Sequence, residues 1–457
     1  MKIIIVGDGK VGYSLAEHLS QENHDVTIID KDPEALRKAN ENLDVMCIKG
    51  NGVSTKIMME AGIKRTDLLI AATSSDEMNM VCALTGKKLG AKHTVARIRD
   101  PEYANELSVL KAELGLDLVI NPEQAASREI GRLLRFPSAA DVEHFAKGRI
   151  EFIEIRVNDI MPIVGIPLKD LPSKFHGDIL IGAVERGEEV IIPNGNFEIQ
   201  AGDILYIIGK PNDVTGFCKQ IGLLTQKIKN IMVVGGGRIA HYLALLLKQS
   251  DMKVKIIEID RQRCIELSEM LPDTLIINGD GTDQAILESE NLSEMDAFIA
   301  LTGSDEENLI SALLAKQCGV IKVIAKITKI NNPTVFTVLG VDSIVNPKLI
   351  TTNYILRYVR GLNSALGNPA ETVYRIINGK AEVLEFTANK TSKLLNVPLK
   401  KLKLVDGVII GAIARKNEII IPHGDDCIRL GDSVIVIAVD KRIFDLGEVV
   451  ASAGGIK

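Results

Sequence analysis

Two short stretches, GDGKVG at residues 7–12 and GGGRIA at residues 235–240, carry the residue types that cradle a phosphate. In such a turn the first glycine permits the tight bend. The second lets the backbone approach a pyrophosphate, and the third lets helix and strand pack closely. The free N–H groups and partial positive charge of the following helix then face the anion. Gly7, Gly9 and Gly12 fill these positions in the first stretch, with Asp8, Lys10 and Val11 between them. Gly235, Gly237 and Ala240 fill them in the second, around Arg238 and Ile239, and alanine is permitted at the third position.

Each turn has an acidic residue at the end of the next apolar run, Asp30 and Glu258. A carboxylate there accepts hydrogen bonds from ribose hydroxyls and repels a 2′-phosphate, which favours NAD or ATP over NADP. More side chains fall at the ends of later apolar runs: Asn51 and Asp280, Thr73 and Thr302 (beyond Ala71 and Ala300), and Arg97 and Lys326. In an open α/β sheet those ends line the ligand crevice, and the two cations could reach a phosphate. Taken singly, each is equally well a solvated loop residue; its recurrence in both halves favours a ligand. The two sets differ at Asp8 against Gly236, Asn51 against Asp280, and Arg97 against Lys326. A carboxylate beside a pyrophosphate is unfavourable unless it points to solvent, so two unequal sites are expected.

The elements that must position these residues follow from periodicity. Continuous apolar runs at 3–6, 26–29, 45–48, 68–72, 94–98 and 117–120 predict strands buried on both faces. Helical patterns lie between them: Val11, Leu15 and Leu19 recur every four residues, and DPEALRKANEN at 32–42 opens with an acid and a proline. Strands alternating with helices predict a doubly wound parallel sheet, a Rossmann-like α/β domain.

Sliding the chain on itself shows a duplication, with Gly7 and Gly235 standing 228 positions apart. VTIIDKD (26–32) matches VKIIEID (254–260), LLIAATSSDEMN (68–79) matches AFIALTGSDEEN (297–308), and VINP (119–122) matches IVNP (344–347). The match continues into a second kind of module, residues 179–209 against 408–438, where short strands broken by turns predict a small α+β fold with hairpins. The expected domains are two Rossmann-like ones at 1–140 and 228–366, each followed by a small module, at 141–227 and 367–457. Segments 123–145 and 348–370 are predicted as helical links.

Composition narrows the function. The 457 residues are 46 % hydrophobic and 25 % charged, as in globular proteins, and the net charge of −6 gives no electrostatic case for nucleic acid. No apolar stretch approaches the ~20 residues of a membrane helix. The N-terminus lacks the apolar core and cleavage site of a signal peptide, so the chain is expected in the cytoplasm. Six scattered cysteines form no CxxC pair and no zinc pattern, and no metal is expected. None of the seven histidines recurs in the other half, and no acid, base and nucleophile cluster is legible, so an enzyme is not expected. An NAD-dependent oxidoreductase stays open as the alternative, as does a nucleotide sensor serving another transporter.

Together the two glycine turns, the strand-two acids, the A-x-T-x-S-D-E-x-N segments, the V/I-N-P strand ends and the small modules resemble the TrkA family in its double RCK form (KTN plus TrkA-C). The resemblance covers essentially the whole chain. It implies a regulatory, non-enzymatic subunit of potassium uptake, peripheral on the inner face of the cell membrane. Such a subunit self-associates into a ring, a homotetramer or a dimer of dimers, beneath a TrkH-class membrane channel or transporter subunit, and gates it. It also implies NAD(H) and ATP or ADP as ligands. Gly7, Gly9, Gly12, Asp30, Asn51, Thr73 and Arg97 match the nucleotide motif in the first half, and Gly235, Gly237, Glu258, Asp280, Thr302 and Lys326 in the second. Asn51 departs from the family's usual Asp, and Ala240 from its usual Gly. In related single-copy subunits a Glu just after the strand-six Pro takes part in cation binding; Glu123 stands there in the first half and Lys348 in the second. A cation at Glu123 stays open as the alternative; a surface salt bridge is the reading preferred there.

Overall fold

The computed structural model describes residues 1–101, 103, 115–135, 142–146, 149–187, 189–223, 228–250, 252–329, 341–363, 372–376, 380–389, 392, 394–441, 443 and 445–451. The first apolar runs fold as β1 (Lys2–Val6), β2 (Asp25–Asp30), β3 (Met46–Lys49), β4 (Leu68–Ala71), β5 (His93–Arg97) and β6 (Leu118–Ile120). All pair in parallel, in the order β3-β2-β1-β4-β5-β6. Parallel neighbours need crossover helices, which cover both faces; Ile3, Ile4 and Ile5 and all of β4 are accordingly buried. The strand order reverses between β1 and β4, where Val6 pairs with Ala71. A crevice must open beyond their carboxyl ends.

Next come β7 (Val142–Phe145), β8 (Ile150–Arg156), β9 (Ile179–Arg186), β10 (Glu189–Ile191) and β11 (Ile204–Gly209), an antiparallel sheet ordered β10-β9-β11-β8-β7. One expectation fails here. Segment 123–145 is described as helix through Arg135, but its end, Val142–Phe145, pairs as an edge strand, Val142 opposite Ile153. The partner strand, not local periodicity, decides those four residues. The second copy repeats the plan. β12 (Asn230–Val234), β13 (Lys253–Glu258), β14 (Leu275–Asn278), β15 (Ala297–Ala300), β16 (Lys322–Lys326) and β17 (Ser343–Val345) form a parallel sheet ordered β14-β13-β12-β15-β16-β17. β18 (Thr372–Ile376), β19 (Ala381–Thr387), β20 (Val408–Arg415), β21 (Glu418–Ile420) and β22 (Ser433–Val439) form an antiparallel one. The helix Pro347–Asn363 occupies most of the predicted 348–370 link; residues 364–370, like the expected boundaries at 140–141 and 366–367, lie outside the described residues.

Like packs with like. One unit joins residues 1–131 to 230–356, the two parallel sheets; the other joins 132–229 to 357–457, the two antiparallel ones. In the second unit one core is shared by both sheets, with Phe152, Tyr206 and Ile208 meeting Val383, Ile435 and Ile437. Gly182 sits at a bulge of β9, where a Cβ would lie 2.1 Å from Ile437 Cδ1, so the glycine of the repeated L/I-I-G-A motif (180–183 and 409–412) suits that packing. Among the described residues no helix is long and apolar enough to cross a membrane.

Candidate functional site

The crevice beyond β1 and β4 has a volume of about 470 Å³. Val6, Gly7, Gly9 and Lys10 line one side, Asp30 and Lys31 another, Asn51 a third, and Thr73, Ser75 and Arg97 the far end. Gly7 bends the chain at φ +102°, and its N–H donates to Ile29 O at 2.9 Å. A Cβ on Gly7 would meet Thr73 N at 2.9 Å, and one on Gly12 would lie 1.8 Å from Gly7 O. The turn and the helix packing therefore both need glycine, as the motif predicts.

The helix Lys10–Gln21 begins at Gly9 with no side-chain cap and no acid in its first turn. The helix Arg238–Leu247 begins the same way at Gly237, which places Arg238 and Ile239 in its first turn. Among other helices starting near this rim, Asp32, Ser75, Asp260 and Ser304 each cap their own, while the short helix Thr55–Glu60 starts at Ser54 without a side-chain cap. The long helices that leave the two glycine turns keep unmet N–H donors and positive ends there, which suit an anion.

Asp30 is set by two backbone donors, Asp8 N at 2.5 Å to Oδ2 and Asp32 N at 2.8 Å to Oδ1. Glu258 is held identically, by Gly236 N at 2.5 Å and Asp260 N at 2.9 Å. Each carboxylate oxygen takes one N–H and keeps a further lone pair that could accept from a hydroxyl. Thr73 N donates to Asn79 Oδ1 at 2.8 Å, and Asn79 Nδ2 donates to Arg97 O at 2.8 Å. In the second half Thr302 N donates to Asn308 Oδ1 at 2.7 Å and Asn308 Nδ2 to Lys326 O at 2.9 Å. One buried asparagine in each half thereby ties the ends of the fourth and fifth strands together. Neither Asn79 nor Asn308 was given a role by the sequence, although the repeated S-D-E-x-N carries both. The Asp of that motif works alongside: Asp76 accepts from Arg99 N and Asp100 N, and Asp305 from Thr328 N and Lys329 N.

Arg97 donates through Nη2 to Thr73 O, while its buried Nε has no partner. Burial, reinforced by Arg99, lowers its affinity for its proton, a cost that a bound phosphate would offset. Lys326 donates to Leu301 O at 3.2 Å and is likewise lowered by burial. Asn51 accepts from Val53 N at 3.4 Å; Asp280 accepts from Thr282 N and Oγ1 at 2.9 and 2.7 Å, which holds its carboxyl below the usual range. Glu123 receives Arg99 Nε at 2.8 Å, a salt bridge, but not the surface one expected: the Glu123 side chain is 13 % exposed.

Asp8 departs from expectation. It neither points to solvent nor lines the crevice: it is 7 % exposed, and both carboxylate oxygens lack a hydrogen-bond partner. Among the described residues no cluster of His, Cys, Asp and Glu could hold a metal ion, and all six cysteines are free. The lining of the first crevice includes no histidine, and burial pushes the Cys82 thiol up to about 12, so it offers no ready acid, base or nucleophile.

The TrkA-N domain family matches residues 3–122 and 231–347, and the TrkA-C domain family matches 152–222 and 383–447. Trk system potassium uptake protein TrkA homolog 1 of Methanosarcina mazei is 37 % identical over 447 residues, 96 % of this chain and 97 % of that one. Trk system potassium uptake protein TrkA of Halomonas elongata is 34 % identical over 454 residues, 97 % of this chain and 96 % of that one. The structure of the GsuK channel bound to NAD superposes with a TM-score of 0.63 over 96 % of this chain and 76 % of that one, at 17 % identity, a similarity of fold.

Proposed function

The chain belongs to the TrkA family of Trk system potassium uptake proteins, not to the oxidoreductases, and from that premise we propose that it is a potassium-uptake regulatory subunit with two nucleotide-sensing crevices. NAD(H) and ATP or ADP compete for the crevices and shift potassium flux through a TrkH-type membrane subunit. The observation that carries the reading is the repeated pairing of an uncapped glycine-turn helix with a carboxylate pre-set by two backbone amides. Gly7, Gly9, Gly12 and the first-turn amides of Lys10 and Val11 hold the pyrophosphate at the first site. Gly235, Gly237 and the amides of Arg238 and Ile239 do so at the second. Asp30 and Glu258 take the ribose, Asn51 and Asp280 the adenine side, and Thr73 with Arg97 and Thr302 with Lys326 the distal phosphates.

A regulator works only if its ligands prefer different conformations, by a differential affinity that sets how far the equilibrium moves. NAD and ATP differ in charge and in the group beyond the diphosphate, which is where Arg97 and Lys326 stand. In this reading the chain comprises domains at 1–140, 141–227, 228–366 and 367–457, forms a tetrameric ring or dimer of dimers, and sits on the cytoplasmic face of the membrane through its partner. Titration calorimetry with NAD and ATP on wild type, Asp30→Ala and Glu258→Ala tests the binding claim. Two binding events are expected in wild type and one in each variant; heat-silent titrations with both ligands in wild type would overturn it.

A further inference from the structure

The two glycine turns share the bonds of their first two amides, to the second strand's carbonyl and to its terminal carboxylate, but differ at the middle residue: Asp8 is a buried acid, whereas Gly236 O accepts from Arg263 Nε at 3.0 Å. Around Gly236 there is no room for a side chain: a Cβ would lie 2.5 Å from Leu267 Cδ1 and 3.1 Å from Glu258 Oε2. In the first half the position matching Leu267 is Ala39, also fully buried. The missing leucine side chain makes the space that Asp8 occupies. A carboxyl group thus fills a core position that is apolar in the other copy. Its surroundings are Asp30 on β2, Asp32 and Lys38 at and within the helix Pro33–Asn42, Cys47 on β3 and Tyr13 on the first helix. Only Lys38 among these is a cation, and it also lies 4.9 Å over the Tyr13 ring.

An ionised carboxylate there has no hydrogen bond to offset its lost hydration and a second carboxylate beside it. We propose that Asp8 makes nucleotide binding at the first crevice proton-linked, whereas binding at the second, with Gly236, is not. The inference rests on the nucleotide reading above. Its physical course is short. A diphosphate on the Gly7–Gly12 turn adds negative charge nearby, and the ligand seals the crevice from water. Both disfavour a negative charge on Asp8, so the complex binds a proton that the free site has largely released at neutral pH. Burial first, then Asp30, already hold the Asp8 carboxyl up at about 6 in the free chain. Asp8 is a positioning residue here; it touches the ribose carboxylate's anchor, not the ligand.

The sign follows from linkage. A group whose proton is held more tightly in the complex makes affinity rise as pH falls, from the pKa of the complex down to that of the free site near 6, and leaves it flat below. The test is calorimetry of the full chain with NAD, whose diphosphate does not itself titrate in this range. Titrations run from pH 6 to 8 in paired buffers of different ionisation enthalpy. With Glu258→Ala, so that only the first crevice is filled, net proton uptake and an affinity falling by up to tenfold per pH unit are expected. With Asp30→Ala, so that only the second is filled, no uptake is expected. Asp8→Asn in the Glu258→Ala chain should abolish the uptake and flatten the pH profile, a change that mere loss of packing does not produce. NAD binding at the first crevice with no proton uptake would overturn the inference and leave the nucleotide reading intact. Failure of wild type to bind NAD at the first crevice would overturn both. Should Asp8→Asn not fold, the paired-buffer result on Glu258→Ala alone decides.

Discussion

Asn121 Nδ2 donates to the hydroxyl of Tyr242 at 2.9 Å, joining the end of β6 in the first parallel sheet to the helix that leaves the second glycine turn. The same hydroxyl donates to Arg99 O at 3.4 Å, two residues past the first crevice's Arg97. A buried tyrosine therefore ties the end of the first parallel sheet to the helix of the second glycine turn, inside one packed unit.

Tyr242→Phe removes both bonds and leaves the Asn121 amide short of a partner. It should destabilise the chain by about 1–2 kcal/mol in thermal or urea unfolding. If this contact carries coupling, the affinity for NAD at one crevice, measured with the other saturated, should lose its dependence on the second ligand. Unchanged coupling in a folded Tyr242→Phe chain would show that the communication runs elsewhere.

Gly12→Ala places a methyl on the carbonyl of Gly7, and the helix must move off the turn. We expect the first crevice to lose NAD affinity by more than about tenfold, since the helix N–H groups no longer converge on the diphosphate. Ala240→Gly at the matching place should leave second-site affinity within about twofold, because that turn is already built around alanine. Titrations in Glu258→Ala and Asp30→Ala backgrounds read the two sites separately.

The exchange of Asp8 with Ala39 for Gly236 with Leu267 predicts a non-additive pair. Gly236→Asp alone overpacks against Leu267 and should cost about 1–3 kcal/mol. Adding Leu267→Ala, which alone opens a cavity, should restore part of that loss. A double-mutant cycle in urea that gives simple additivity would refute the packing exchange.

In the antiparallel sheets Arg186 grips Asp203 at 2.7 and 2.8 Å, and Arg415 grips Asp432 at 3.0 and 2.8 Å. For Asp203 burial raises the carboxyl's pKa, but the Arg186 bonds and the Gln200 amide outweigh it, and the net shift is down. A lowered folded pKa gives stability that is present above the ordinary carboxylate range and is lost as pH falls through the folded value. The melting temperature of wild type should therefore fall below about pH 4, while Asp203→Asn, less stable at neutral pH, should show a smaller acid dependence. Equal acid slopes would place the acid sensitivity in other groups.

Much of this was legible in the sequence because it is local. A glycine turn between a β-branched run and a helix pattern, with Asp30 or Glu258 closing the next run, marks the strand, the turn and the carboxylate beside it together. Legible too was the doubling, which pointed away from a dehydrogenase. What escaped depends on contacts distant in the chain. Val142–Phe145 reads as helix until β8 pairs with it. Asn79 and Asn308 stood inside a repeated motif, but their task, bridging two strand ends, exists only once those strands are adjacent. Asp8 was flagged as the difference between the turns; its direction was not, because that is set by the loss of a side chain at Ala39 on another helix. That the like sheets pack together was beyond periodicity altogether.

On the reading proposed above, nucleotides at these crevices govern potassium flux. The direct measurement is flux through a TrkH-class subunit in proteoliposomes carrying this chain, with NADH or ATP at concentrations that saturate both crevices. We predict that the two nucleotides set different flux rates and that the Asp30→Ala, Glu258→Ala double variant responds to neither. A rate unaltered by either nucleotide, with both crevices shown to be filled, would contradict the account.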